Sequence, residues 1–290
     1  MSGREAWRVI KGTVEGYIAD DAFSRGASIA YFTLFSMAPV LLVVIAVAGM
    51  VFGRDAAQGA VVDQLSGLMG RDTAAALQAM IRSASHRFSG TLATLLGLGA
   101  ILLAVSGVFG EVQASLNAVW KASPRGTTLS RLVRARLASF GLVIALGFVL
   151  MVSLVLSALL TAFGAFLKAH LPGAGLALQA IDLVLSFALI AGIFTVMYKV
   201  LPDRHLRWRD VLPGAVFAAL LFEGGKYLIA LYIGKTEIAS SFGGAGAIIV
   251  MLLWIFYSAQ IFLLGAEFAR AWSTPSASPR EPRRDQPHAV

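Results

Sequence analysis

Six apolar stretches of about the length a bilayer demands recur along this chain, and segments of that kind leave few choices of fold. They run Ala27–Phe52, Thr91–Phe109, Ala138–Leu167, Leu178–Leu201, Val211–Ile233 and Gly246–Phe268. Roughly 20 apolar residues in helical form cross about 30 Å of hydrocarbon. Inside lipid each backbone N–H and C=O must find its partner within the segment, which selects helices. The third stretch is long enough to need tilt or protrusion. Composition points the same way: 14% of residues are charged, against about 25% in soluble domains, and mean hydropathy is +0.77. The expected class is all-α, a polytopic bundle of six transmembrane helices.

Orientation is read from the connections. Arg4, Arg8, Lys11 and Arg25 precede the first stretch. Lys121, Arg125, Arg131, Arg134 and Arg136 follow the second, Lys199, Arg204, Arg207 and Arg209 flank the fourth connection, and Arg270, Arg280, Arg283 and Arg284 follow the sixth. These put seventeen basic residues on one side against six (Arg54, Arg71, Arg82, Arg87, Lys168 and Lys235) on the other. The positive-inside rule then places both termini in the cytoplasm. Ala46-Val47-Ala48 resembles a cleavage site, but the apolar run continues past it and the preceding segment is long for a signal peptide, so an uncleaved helix is expected.

Three regions are expected: residues 1–26, a six-helix domain over 27–270, and a disordered cytoplasmic tail over 271–290 that is rich in Ser, Pro and Arg. In the first, Trp7, Ile10, Val14, Tyr17 and Ile18 recur at helical spacing with Arg4, Arg8 and Lys11 beside them. That pattern suits an amphipathic helix in the cytoplasmic interface, or one packed on the bundle. The first outer loop, Gly53–Gly90, carries two stripes, Val61/Leu65/Leu68/Met69 and Leu77/Met80/Ile81/Ala84. Two short amphipathic helices packed on the outer helix ends are expected there. The net charge of +8 fits basic loops facing membrane lipid, anionic at the cytoplasmic face, rather than nucleic acid. A homo-oligomer is compatible with the pattern.

Charges inside apolar spans are costly and mark candidate sites. Glu223 and Lys226 stand three apart near the middle of the fifth stretch, so they share a helix face and can pair. Ala215, Ala219 and Ala230 extend that face. In the sixth stretch Tyr257, Gln260 and Glu267 share a face. Tyr257 and Gln260 join the candidate intramembrane polar site with Glu223 and Lys226, while Glu267 reads as an end charge paired with Arg270. Glu267, Glu111 near the end of the second stretch and Pro39 in the first are secondary candidates. Pro39 removes a helix hydrogen bond and should kink its helix, with Thr33 and Ser36 near enough to satisfy freed backbone groups. Gly243-Gly244-Ala245-Gly246 reads as a flexible turn or re-entrant segment. There is no Cys, and His86, His170, His205 and His288 are scattered, so no metal site and no cofactor is expected.

The chain resembles the YihY/BrkB family of bacterial inner-membrane proteins. The resemblance is carried by Ala30-Tyr31-Phe32-Thr33-Leu34-Phe35-Ser36 with Pro39, by Glu111 with Asn117 and Trp120, and by Leu201-Pro202-Asp203 before Trp208 and Gly214. It continues in Glu223-Gly224-Gly225-Lys226 with Tyr232, Ser241-Phe242-Gly243-Gly244-Ala245-Gly246, Trp254, and Leu264-Gly265-Ala266-Glu267-Phe268. It covers about Gly12 to Trp272; Phe242 stands where the family pattern has Tyr. The resemblance implies a helical inner-membrane protein handling lipid or another envelope component. A ribonuclease label attached to the family finds no support in the residues, because nuclease chemistry needs clustered carboxylates or a His pair and the acids here are dispersed.

The expectation is therefore a non-enzymatic transporter or lipid-handling membrane protein, with a non-transporting structural or assembly protein as the alternative and the ribonuclease last.

Overall fold

The computed structural model describes residues 3–69, 73–79, 107–122, 174–235 and 244–274. Among the described residues all regular structure is helical: α1 Gly3–Ala19, α2 Ala22–Phe52, α3 Arg54–Met69, α4 Ala174–Val200, α5 Trp208–Lys235 and α6 Gly244–Ser273, with further helical stretches at 73–79 and 107–119. Two helices, over Leu183–Val200 and Gly246–Ser273, are long and apolar enough to cross a membrane; α2 makes a third if its two limbs form one span. The expected third stretch, and all but the last residues of the second, lie outside the described residues, as does the tail beyond Thr274.

Local sequence sets the breaks. Asp21, between α1 and α2, adopts a left-handed conformation at φ 51°, which Asp tolerates better than most residues. Gly53 separates α2 from α3 at φ 84°, a region closed to most side chains. Pro202 disfavours helical geometry at Leu201, and α4 stops at Val200. The start of α5 is held by the Asp210 carboxylate, which accepts the Arg207 N–H at 3.1 Å. Gly244 to Gly246, expected in a flexible turn or re-entrant segment, form the first turn of α6.

The limbs Ala22–Ala38 and Val40–Met50 of α2 meet at 49°. Pro39 falls between them, and a proline's missing N–H interrupts the helix ladder there. The Ser36 hydroxyl donates to the Thr33 carbonyl at 3.3 Å, not to the Phe35 carbonyl that Pro39 leaves without its helical donor.

Helix α6 is the hub, packing on α5, α2 and α1, while α4 packs on α5 and α3 on α2. At the α5–α6 seam a Cβ on Gly265 would come within 2.6 Å of Ala218 Cβ and 2.9 Å of the Gly214 carbonyl. Small residues let two membrane helices approach this closely. The buried Tyr198 of α4 reaches over and donates to the Phe262 carbonyl of α6 at 2.6 Å. By contrast α4 leaves Leu183, Val184, Val196 and Val200 exposed, the lipid-facing surface expected of a peripheral span.

Two apolar cores result. One gathers Ile29, Leu116, Val119, Trp120, Tyr198, Val211, Leu263 and Ala266. The other gathers Ile45, Ala48, Ala57, Val61, Leu77, Ile229, Met251 and Trp254. The second includes the loop expected to form short helices: α3 buries Ala57 and Val61, and the 73–79 stretch buries Thr73, Ala74 and Leu77. The side chains of Leu68, Met69, Met80, Ile81 and Ala84 lie outside the described residues.

Candidate functional site

Glu223 sits near the middle of α5 and is buried. Its Oε2 lies 2.6 Å from Lys226 Nζ, and its Oε1 accepts the Ser186 hydroxyl of α4 at 3.0 Å. The lysine contact is ionic rather than an aligned hydrogen bond, since Oε2 has no hydrogen-bond donor. Spacing of three along a helix makes the pair; packing of α4 on α5 adds the hydroxyl. Lys226 keeps 25% of its side chain exposed, so its flexible stem can carry the ammonium away from the apolar core.

The other candidates distribute around α6. Tyr257 donates to the Leu221 carbonyl of α5 at 3.3 Å and packs directly on Gly225, where a Cβ would collide with its ring. Successive helical residues turn by about 100°, so Gly225 looks to α6 while Glu223 looks to α4. Gln260 lies elsewhere: its Oε1 accepts the Tyr17 hydroxyl of α1, and its Nε2 donates to the Phe23 carbonyl at 3.1 Å. Burial raises the Tyr17 hydroxyl above the ordinary phenol value. Glu111 is half-buried on the 107–119 stretch.

Glu267 belongs to a second ionic site. It is fully buried, 3.1 Å from the Arg270 guanidinium. The same guanidinium reaches the Asp20 carboxylate at 3.3 Å, and Lys121 pairs with the other Asp20 oxygen. Helix α1 covers the pair with Gly16, where any Cβ would strike Glu267 and Arg270. Beside this quartet Asn117 donates to the Asp203 carboxylate at 2.9 Å and accepts the Asp203 backbone N–H at 2.8 Å. Arg204 donates to the Trp120 carbonyl at 2.9 Å. The four basic segments expected on one side thus contribute residues to one end of the bundle: Asp20, Lys121, Arg204 and Arg270 are joined by these contacts.

Asp20 and Lys121 escaped the sequence reading, because both fall in connections, where a charge ordinarily looks solvated. Asn117 and Asp203 were visible as separate parts of the family pattern, but nothing in the spacing joined them. Among the described residues no group of three or more His, Asp or Glu could hold a metal ion.

The model of the family described as Virulence factor BrkB matches residues 13–289. The chain belongs to that family. A UPF0761 membrane protein of Rhodospirillum centenum is 29% identical over 268 residues, covering 91% of this chain and 57% of the relative. A UPF0761 membrane protein of Stenotrophomonas maltophilia is 30% identical over 279 residues, covering 93% of this chain and 62% of the relative. The chain therefore spans about three fifths of the length of these relatives. A Bacillus subtilis protein named ribonuclease-like protein YfkH is 25% identical over 267 residues, covering 89% and 92% of the two chains. No solved structure matches. The BrkB chain, with its apolar helices and relatives named membrane proteins, is a membrane protein.

Proposed function

We propose that this BrkB-family protein is a multi-pass protein of the bacterial inner membrane that transports or otherwise handles a lipid or another envelope component. The observation that carries the reading is the buried Glu223–Lys226 pair closed by Ser186 between α4 and α5. Ions in the middle of a span are expensive and are retained where they serve a pathway. A neutral pair with one partly exposed lysine offers both a cation and an anion to the polar head of an amphipathic cargo. The ribonuclease-like name of the Bacillus relative suggests no role for this site, and purified protein should process tRNA no faster than a mock preparation.

The test is a double neutral replacement, Glu223→Gln with Lys226→Met, measured for thermal stability in detergent and for complementation of a deletion strain. Recovery of stability with function still lost supports a cargo path. Recovery of both would mean that the pair is a structural clip in an assembly protein, and the transport reading would fall. The proposed orientation, with both termini cytoplasmic, is checked separately in this cysteine-free chain. Single cysteines at Arg207 and Ser278 should resist an impermeant thiol reagent in intact cells, while one at Ala75 should react.

A further inference from the structure

Helix α1 is docked the wrong way round for a helix whose only role is to pack on the bundle. The face it buries is small and partly polar: Val9, Thr13 and Gly16, with Gly12 set against Ala271, whose Cβ lies 3.5 Å from where a Gly12 Cβ would stand. Its large apolar residues point outward, with Trp7 68%, Ile10 52%, Val14 50% and Ile18 70% exposed. At about 100° per residue these four form one continuous stripe on the side away from Val9 and Gly16. Arg4, Arg8 and Lys11, all exposed, follow next around the circumference, with Glu15 among them and 3.6 Å from Lys11, so the flank keeps a net positive charge. The helix thus carries three faces in order: small residues on α6, a large apolar stripe, and a basic flank.

A water-soluble helix hides its large apolar stripe in the core, and a contiguous exposed stripe marks a surface that meets something apolar. Contacts along the inner face hold α1 in this rotation. Gly16 lies against Glu267 and Arg270 so closely that a side chain there would collide with them, and Tyr17 is tied to Gln260. The bundle therefore presents the stripe in a fixed direction. Phe23 at the start of α2 and Trp272 at the end of α6 are exposed as well.

We infer that α1 is a membrane-surface docking element that seats its Trp7/Ile10/Val14/Ile18 stripe in the headgroup–acyl boundary of an anionic phospholipid leaflet, with Arg4, Arg8 and Lys11 on the headgroups. The chemistry that selects this occupant is the juxtaposition of an apolar stripe with a basic flank, the combination that binds anionic bilayers. The inference does not depend on cargo passing Glu223.

The chain has no cysteine, so single cysteines at Ile10, Val14, Ile18 and Glu15 in the full-length protein can each carry a nitroxide. The labelled proteins are reconstituted into vesicles of phosphatidylethanolamine and phosphatidylglycerol, and collisions with oxygen and with a water-soluble nickel chelate are measured. The labels at Ile10, Val14 and Ile18 should collide mainly with oxygen, and the Glu15 label mainly with nickel. Replacing Arg4, Arg8 and Lys11 together by Gln, or the anionic lipid by phosphatidylcholine, should lower the oxygen-to-nickel ratio at Ile10 several-fold. Strong nickel collisions at all three outward positions would show a solvated face and overturn the proposal. Protection from both reagents would show a protein partner or second copy on the stripe and overturn it equally. A ratio indifferent to lipid charge and to the triple replacement would overturn the anionic part.

Discussion

Two of the protein's ionic sites, each centred on buried carboxylates, are built on different plans. At the basic end, four charges from three separate parts of the chain close on one another: Asp20 from the α1–α2 turn, Lys121 after the 107–119 stretch, and Glu267 with Arg270 from α6. In α5 the charges are neighbours on a single turn, and the rest of the fold adds one serine hydroxyl. The first site binds elements together; its partners are distant in sequence, so its ion pairs exist only in the folded bundle. The second can form in an isolated helix, so the fold does not need it in order to find its partners. An ion pair within one helix, joined to the rest of the fold by a single hydroxyl, adds little to stability, and that contrast is what makes the α5 pair the better functional candidate.

The contrast predicts an order of effects. The largest should come from Arg270→Ala, which strands the buried Glu267 and removes one of the two cations on Asp20; breaking such a site costs about 3–5 kcal/mol. The measurement is unfolding in detergent, and a loss near zero would show that water reaches these carboxylates and that the two sites are alike. Next come Glu223→Ala and Lys226→Ala, bounded by the roughly 2.5–3.5 kcal/mol of an unpaired charge on insertion scales. Of the two, Lys226→Ala should cost more, because the stranded Glu223 is short and buried whereas a stranded Lys226 is partly exposed and can extend toward water. The reverse order would mean that the lysine is the trapped partner.

Asn117→Ala should fall below these. It leaves the Asp203 N–H and one carboxylate oxygen without their partner, a loss of about 1–3 kcal/mol, and it should loosen the loop before α5 without touching the Glu223 site. Smallest is Ser186→Ala, which deletes one hydrogen bond to Glu223, about 1 kcal/mol. If Ser186→Ala abolished complementation while stability barely moved, the α5 site would be separated from the basic end as a site of function.

Much of the framework was legible beforehand. Apolar length marked the spans in α4 and α6 and the bent α2, Pro39 marked the bend, and the stripe through Val61 and Leu65 marked the helix that follows α2, because each of these is written in consecutive or periodically spaced residues. Glu223 and Lys226 were legible for the same reason. The grouping of Tyr257 and Gln260 into that site was less so: both share a face of α6, but α6 is crossed by different neighbours at successive turns, α5 at Tyr257 and α1 with α2 at Gln260. A shared helix face does not guarantee a shared partner.

The sequence by itself determined that this chain is helical and membrane-bound, and that one acid and one base meet in the middle of α5. Those outcomes follow from the hydrocarbon's intolerance of unpaired backbone and charge, which acts on each segment separately. Only the tertiary structure decided that Asp20 and Lys121 are parts of an ionic site, that Asn117 clasps Asp203, and that α1 turns its small face inward and its large apolar stripe outward. Those outcomes depend on which helix covers which, and that is set by close contacts such as Gly16 on Glu267 and Gly265 on Ala218, between residues that no local period connects.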